Sequence, residues 1–80
     1  MMRKEVIMPK VGLDMEEGTI QKWVKQVGDS VHVDDVLAEA ETDKTITEIK
    51  STVDGVLTEI VVPENQTVPI TTVIAWIETN

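Results

Sequence analysis

Apolar residues along the 80-residue chain come in short clusters, mostly Val and Ile, separated by turn-forming residues. The pattern predicts strands over Lys4–Met8, Thr19–Lys25, Ser30–Val33, Leu37–Thr42, Thr45–Ser51, Val56–Val62, Thr67–Ile70 and Val73–Glu78. Between them stand the turn candidates Val27-Gly28-Asp29, Val33-Asp34-Asp35, Asp43-Lys44, Val53-Asp54-Gly55 and Pro63-Glu64-Asn65. Eight short strands at close spacing predict an antiparallel all-β sandwich or closed barrel. Helix is disfavoured, because β-branched residues are dense and no segment keeps an apolar stripe at 3.6-residue spacing.

The chain also repeats itself. A shift of 37 residues lays Gly18–Asp43 on Gly55–Asn80 without a gap and with seven identities in 26 positions. Gly18 meets Gly55, Val24 meets Val61, Val31 meets Val68, Val36 meets Val73, Ala38 meets Ala75, and Glu41-Thr42 meets Glu78-Thr79. Ile20 faces Leu57, Val33 faces Ile70 and Leu37 faces Ile74, so apolar character persists where identity does not. Two similar four-strand units related by a pseudo-two-fold axis and sharing one core are expected. Carried backwards, the repeat aligns Glu5–Pro9 with Thr47–Ser51 at an offset of 42, which places a five-residue insertion at Val11-Gly12-Leu13-Asp14-Met15. An insertion in one copy of a symmetric unit reads as a surface loop, where recognition tends to sit. Its Leu13 and Met15 either pack on the barrel edge or face a partner. Under the two-fold, the Asp43-Lys44 hairpin lies at the end of the barrel opposite the termini.

Composition narrows the chemistry. There is no cysteine, so disulfides, thiol nucleophiles and thiolate metal sites are excluded, and His32 is the only histidine, which excludes a multi-histidine metal site. A net charge of −8 argues against nucleic acid and anionic membrane surfaces as partners. It serves solubility or a basic partner. No apolar run has the length of a membrane span, and the N-terminus lacks a signal-peptide pattern. No acid, base and nucleophile set stands out as an enzyme site. Three turns call for comment. Asn65 tolerates the left-handed region, whereas Asp34 and the β-branched Thr71 predict right-handed turns. Trp23 reads as a packing residue. Trp76, opposite Glu39 in the repeat, covers a barrel edge or contacts a neighbour.

A tight hairpin lifts Asp43 and Lys44 clear of both sheets. Read alone, Lys44 is a solvated turn lysine, protonated at neutral pH and a poor nucleophile. It can be acylated by an enzyme that brings a pre-activated carboxylate and removes the proton.

The ordered set Lys10-Val11-Gly12-Leu13-Asp14-Met15-Glu16-Glu17-Gly18-Thr19-Ile20, Val27-Gly28-Asp29-Ser30-Val31, Glu41-Thr42-Asp43-Lys44-Thr45 and Ser51-Thr52-Val53-Asp54-Gly55-Val56-Leu57 resembles the lipoyl domains of 2-oxo acid dehydrogenase acyltransferases, over nearly the whole chain. The resemblance implies a flattened barrel of two four-stranded antiparallel sheets. It implies that residues 1–80 form one lipoyl domain, free-standing or excised from the N-terminal part of a longer acyltransferase, with lipoate in amide linkage on Lys44. It makes the domain a non-catalytic swinging-arm carrier of acyl groups and reducing equivalents. The implied partners are a lipoate ligase or lipoyl transferase, a thiamine-diphosphate-dependent decarboxylase, the acyltransferase core and dihydrolipoamide dehydrogenase, in the cytoplasm or the mitochondrial matrix.

Residue by residue, the resemblance assigns ligase recognition to Glu41 and Gly55, with Asp43 and Thr45 flanking the lysine. Decarboxylase recognition falls to the loop Val11, Gly12, Leu13, Asp14 and Met15. For Gly55, a turn needing positive φ competes with that role. Biotin carriers share the hairpin lysine but resemble Ala-Met-Lys-Met around it; Asp43 and Thr45 favour lipoate.

Overall fold

The computed structural model describes residues 2–10, 15–42 and 45–79. It has eight strands: β1 (Met2–Ile7), β2 (Glu17–Trp23), β3 (Ser30–Val31), β4 (Val36–Glu41), β5 (Ile46–Lys50), β6 (Gly55–Ile60), β7 (Thr67–Pro69) and β8 (Val73–Thr79). They form two four-stranded antiparallel sheets, ordered β1-β8-β6-β3 and β5-β4-β2-β7. The expected sandwich is therefore present, and all eight predicted strands fall on observed ones.

Boundaries moved where side chains compete with the ladder. β3 stops at Val31 because the His32 amide donates to Asp35 Oδ2 (2.9 Å) and the Val33 amide to Asp54 Oδ1 (2.9 Å). β1 starts two residues early, as Met2 and Arg3 pair with Thr79 and Glu78 through the backbone without an alternating apolar pattern to announce it.

The repeat is structural. Each strand of the first half finds its counterpart in the opposite sheet, so the order β1-β8-β6-β3 maps onto β5-β4-β2-β7. Even irregularities are copied. The β2–β4 ladder slips between Ile20 and Lys22, and the β6–β8 ladder slips between Leu57 and Glu59, 37 residues on. The turns clip across the sandwich in the same way. Gly28 N–H donates to Leu57 O (2.7 Å), as Asn65 N–H donates to Ile20 O (2.7 Å).

The offset of the leading strand needs correction. Val6 pairs with Ala75 as Ile49 pairs with Ala38, so β1 maps onto β5 at 43 residues, not 42. The amides agree: Met8 donates to Thr72 O and Ser51 to Asp35 O, both at 2.9 Å. Burial enforces this register, because Val6 and Ile49 both face the core, and a one-residue slip would set Val6 against the exposed Glu48. The connection after Met8 takes ten residues to reach Gly18, against four from Ser51 to Gly55, so the insertion is six residues.

The core buries Met8, Ile20, Val31, Leu37, Leu57, Ile74 and Ile77 completely, together with Ala38, Ala40 and Ala75. Truncating any of these large side chains to Ala is expected to cost about 2–5 kcal/mol. Trp23 closes one edge of the core as a packing residue, donating its indole N–H to Val62 O (2.9 Å). Trp76 is half-buried on the outer face beneath Arg3, whose guanidinium lies 4.7 Å from the ring centroid and also pairs with Glu59 at 3.1 Å.

The turn geometry at Asp34 and Thr71 overturns the right-handed expectation. Both are left-handed, at φ 72° and 68°, as Asn65 is at 70°. Tertiary hydrogen bonds hold them there: Asp34 N–H donates to Ser51 O and Thr71 N–H to Met8 O, each 2.8 Å. Anchoring on the crossing strand outweighs the intrinsic reluctance of a β-branched residue.

Candidate functional site: the β4–β5 hairpin

β4 and β5 run antiparallel, with Glu41 opposite Ile46. Beyond that pair, Thr42 N–H donates to Thr45 O at 2.9 Å, and Thr42 Oγ1 donates to the same carbonyl at 3.1 Å. These bonds close the hairpin around a two-residue tip. Asp43 and Lys44 form that tip in sequence and lie outside the described residues, as do Val11, Gly12, Leu13 and Asp14 of the predicted recognition loop. Met15, the loop's last residue, is half-buried and packs against the core.

Strand pairing locates the hairpin base. Thr19 of β2 pairs with both Glu41 and Thr67, and Glu17 pairs with Pro69, one short turn before β8 begins at Val73. The base therefore sits at the Val73 end of β8. Thr79 and its partner Met2 lie six residues along, about 20 Å away at strand rise. The hairpin base and the described termini occupy opposite ends of a molecule 36 Å long.

Around the base, Glu41 is exposed and accepts a hydrogen bond from Gln21 Nε2 at 3.1 Å. The Thr19 and Thr67 hydroxyls share a bond of 2.7 Å. Thr45 is exposed, and Ile46, 54% accessible, is a bare apolar side chain beside the tip. Farther along the same ladder Glu39 stands opposite Glu48, so the outer surface leading to the hairpin carries three carboxylates. Sequence reasoning missed Gln21, because its meeting with Glu41 depends on the register of two strands and leaves no local motif.

Gly55 is not part of this constellation. It starts β6 beside Val31 and Glu78, at the end that carries the termini. Its φ is not positive, so the turn explanation fails as well. Close approach is the cause: a Cβ here would fall on the carbonyl oxygen of Glu78 and within 2.9 Å of Ile77 Cγ2.

His32 Nδ1 lies 3.5 Å from Asp35 Oδ2, but its side chain is exposed and the pair lies in a turn. Donation from the His32 amide holds the Asp35 carboxyl below its ordinary value, assisted by Lys25 at 3.9 Å. Among the described residues no group of three or more His, Asp or Glu could hold a metal ion, and no helix is long and apolar enough to cross a membrane.

A profile of the family described as "Biotin-requiring enzyme", which groups biotin- and lipoyl-bearing domains, matches residues 4–77. The chain belongs to the biotin/lipoyl-attachment family. Within it, the similarity runs to lipoyl domains. The chain is 51% identical over 67 residues to the dihydrolipoyllysine-residue acetyltransferase component of the pyruvate dehydrogenase complex of Mycobacterium bovis, covering 84% of this chain and 12% of that protein. It is 49% identical over 73 residues to the same component of Corynebacterium glutamicum, covering 91% of this chain and 11% of the relative. The chain thus spans about an eighth of the length of these relatives. Among solved structures, the lipoyl domain of the 2-oxoglutarate dehydrogenase complex from Azotobacter vinelandii superposes with a TM-score of 0.72 at 28% identity, covering 92% of this chain and 96% of that one. The part matched is a small carrier domain of the biotin/lipoyl family and not the catalytic portion of the acyltransferases.

Proposed function

We propose that this lipoyl domain carries lipoate in amide linkage on Lys44 and presents it to the active sites of a 2-oxo acid dehydrogenase complex. The observation that supports this best is the closed hairpin base. Thr42 and Thr45 lock two rigid strands just before the tip, at the end of the barrel away from Met2 and Thr79. A lysine placed there is offered outward, while connections through the termini leave from the other end. The residues fit the group: a two-residue tip, exposed Thr45 and exposed Glu41 leave room for a modifying enzyme, and no methionine flanks the lysine as in biotin carriers.

When bound, the lipoyl group supplies a dithiolane that accepts acyl groups and reducing equivalents. The protein supplies placement. Lys44 fixes the base of the arm, the Thr42–Thr45 bonds hold that base to the sheet, and tethering replaces free diffusion by a high effective concentration. The partners that follow are a lipoate ligase or lipoyl transferase, a thiamine-diphosphate-dependent decarboxylase, the acyltransferase core and dihydrolipoamide dehydrogenase. Decarboxylase recognition is assigned to residues 11–15, and ligase recognition to Glu41, Asp43 and Thr45. Gly55 contributes by keeping the strands in register. The expected compartment is the bacterial cytoplasm, and residues 1–80 act as one lipoyl domain, free-standing or within a longer acyltransferase.

Incubation of the unmodified domain with lipoate, ATP and a lipoate ligase is expected to add one lipoyl mass, and Lys44→Ala to abolish it. Modification at a different lysine, or by a biotin ligase in place of the lipoate enzyme, would overturn the assignment.

A further inference from the structure

The internal repeat supplies a built-in comparison for the hairpin end. Thr42 Oγ1 donates across to Thr45 O (3.1 Å), and its counterpart Thr79 Oγ1 donates across to Met2 O (3.3 Å). Closure of the strand pair is thus the same at the lysine end and at the terminal end. The difference lies one strand inward. Both β2 and β6 carry a bulge, whose extra residue is Gln21 in one and Thr58 in the other. A bulge turns its extra side chain out of the regular alternation and re-aims it. Thr58 spends its hydroxyl on the main chain, donating to Trp76 O at 3.2 Å. Gln21 instead reaches the carboxylate of Glu41 at 3.1 Å, whereas no described residue bonds the side chain of the equivalent Glu78.

We propose that Gln21 is a positioning residue that presents the Glu41 carboxylate to the enzyme modifying Lys44, an inference that rests on the reading of Lys44 as the lipoylated lysine. The amide N–H occupies one lone pair of Oε2 and leaves Oε1 open to an incoming donor. The negative charge is kept, since an amide neutralises nothing. What is removed is rotamer freedom, which the modifying enzyme would otherwise have to remove on docking. A lysine or arginine at position 21 would hold Glu41 more strongly but would cancel its charge. Gln21 and Glu41 are both exposed, so the bond serves presentation far more than stability.

The test is steady-state lipoylation of the unmodified domain by a lipoate ligase, followed by intact mass. Gln21→Ala is expected to raise KM for the domain by about three- to tenfold with kcat unchanged, from the freedom of one restored side chain. Its urea midpoint should match that of the parent. Gln21→Glu, which sets two carboxylates side by side, is expected to raise KM further. In a Glu41→Ala background, Gln21→Ala should have no additional effect. An unchanged KM, a loss confined to kcat, or an equal loss with and without Glu41 would overturn the proposal while leaving Lys44 modified. A parent domain that gains no lipoyl mass would overturn the reading of Lys44 itself, and that outcome is seen before any substitution is made.

Discussion

Replacing Thr71 by Gly should make the domain more stable, although it deletes a side chain. Thr71 sits at φ 68°, where the Cβ of an L-residue crowds the following carbonyl at a cost of about 1–2 kcal/mol. β-branching places it at the upper end of that range. The side chain is exposed and no described residue hydrogen-bonds its hydroxyl, so little is lost with it. The tertiary bond from Thr71 N–H to Met8 O is a backbone bond and survives the change. Glycine returns about 0.4–1 kcal/mol of this gain through the greater freedom of the unfolded chain. The net expectation is about 1–1.6 kcal/mol of stabilisation, a rise of roughly 4–12 °C in Tm for a domain of this size. The equivalent Asp34→Gly, at φ 72°, should gain less, because aspartate tolerates the left-handed region, and Asn65→Gly, at φ 70°, should be near neutral. Urea unfolding of the three variants at one pH gives the ranking directly. A Thr71→Gly protein that is less stable than the parent, or no better than Asn65→Gly, would refute the view that the fold holds Thr71 against its own preference.

Gly55→Ala should destabilise by about 1–3 kcal/mol, since β6 must move off the Glu78 carbonyl. Its ligase kinetics, measured on the folded fraction, should nonetheless match the parent, because the strain lies at the end away from the hairpin; a KM defect in fully folded Gly55→Ala would return that glycine to the recognition surface. Ser51→Ala should cost about 1–2 kcal/mol in urea unfolding, as the buried Ser51 Oγ donates to Val53 O (2.6 Å) and accepts from Val53 N–H (3.2 Å) to make the short β5–β6 connection. The lowered Asp35 carboxyl stabilises the fold at pH well above the ordinary 3.8, and that contribution fades as pH falls below 3.8 and through the lowered value. Asp35→Asn should therefore lower the urea midpoint at pH 7 and leave it closer to the parent at pH 2.5; equal differences at both pH values would show that the charge is not responsible.

The architecture was legible because two independent signals agreed. Alternating Val and Ile clusters marked the strands, and the 37-residue repeat required that they form two equivalent units. The 42-residue alignment of the leading strands failed by one position, because each register offers a single identity, Ile7 with Ile49 at 42 and Glu5 with Glu48 at 43, and only the common burial of Val6 and Ile49 chooses between them. The left-handed turns at Asp34 and Thr71 were illegible for a related reason: the bonds that hold them come from Ser51 and Met8, far away in sequence. For the site, Glu41 and Thr45 follow from the hairpin and the resemblance. Gln21 does not, since a bulge that aims one side chain across a strand has no signature in composition or spacing.

The exchange of strands between sheets has a consequence for how the domain can be divided. Each sheet takes its two inner strands from one half of the chain and its two outer strands from the other: β8 and β6 are flanked by β1 and β3, while β4 and β2 are flanked by β5 and β7. Neither half can complete a sheet unaided, so a chain cut between β4 and β5 should yield two fragments that are unfolded apart and fold together on mixing. The same interlocking allows two copies of one half to stand in for the pair, each lending its outer strands to the other. A segment of about forty residues that dimerised by swapping strands, later fused end to end, would produce this topology, and the hairpin at Asp43-Lys44 would be the place where the two copies were joined.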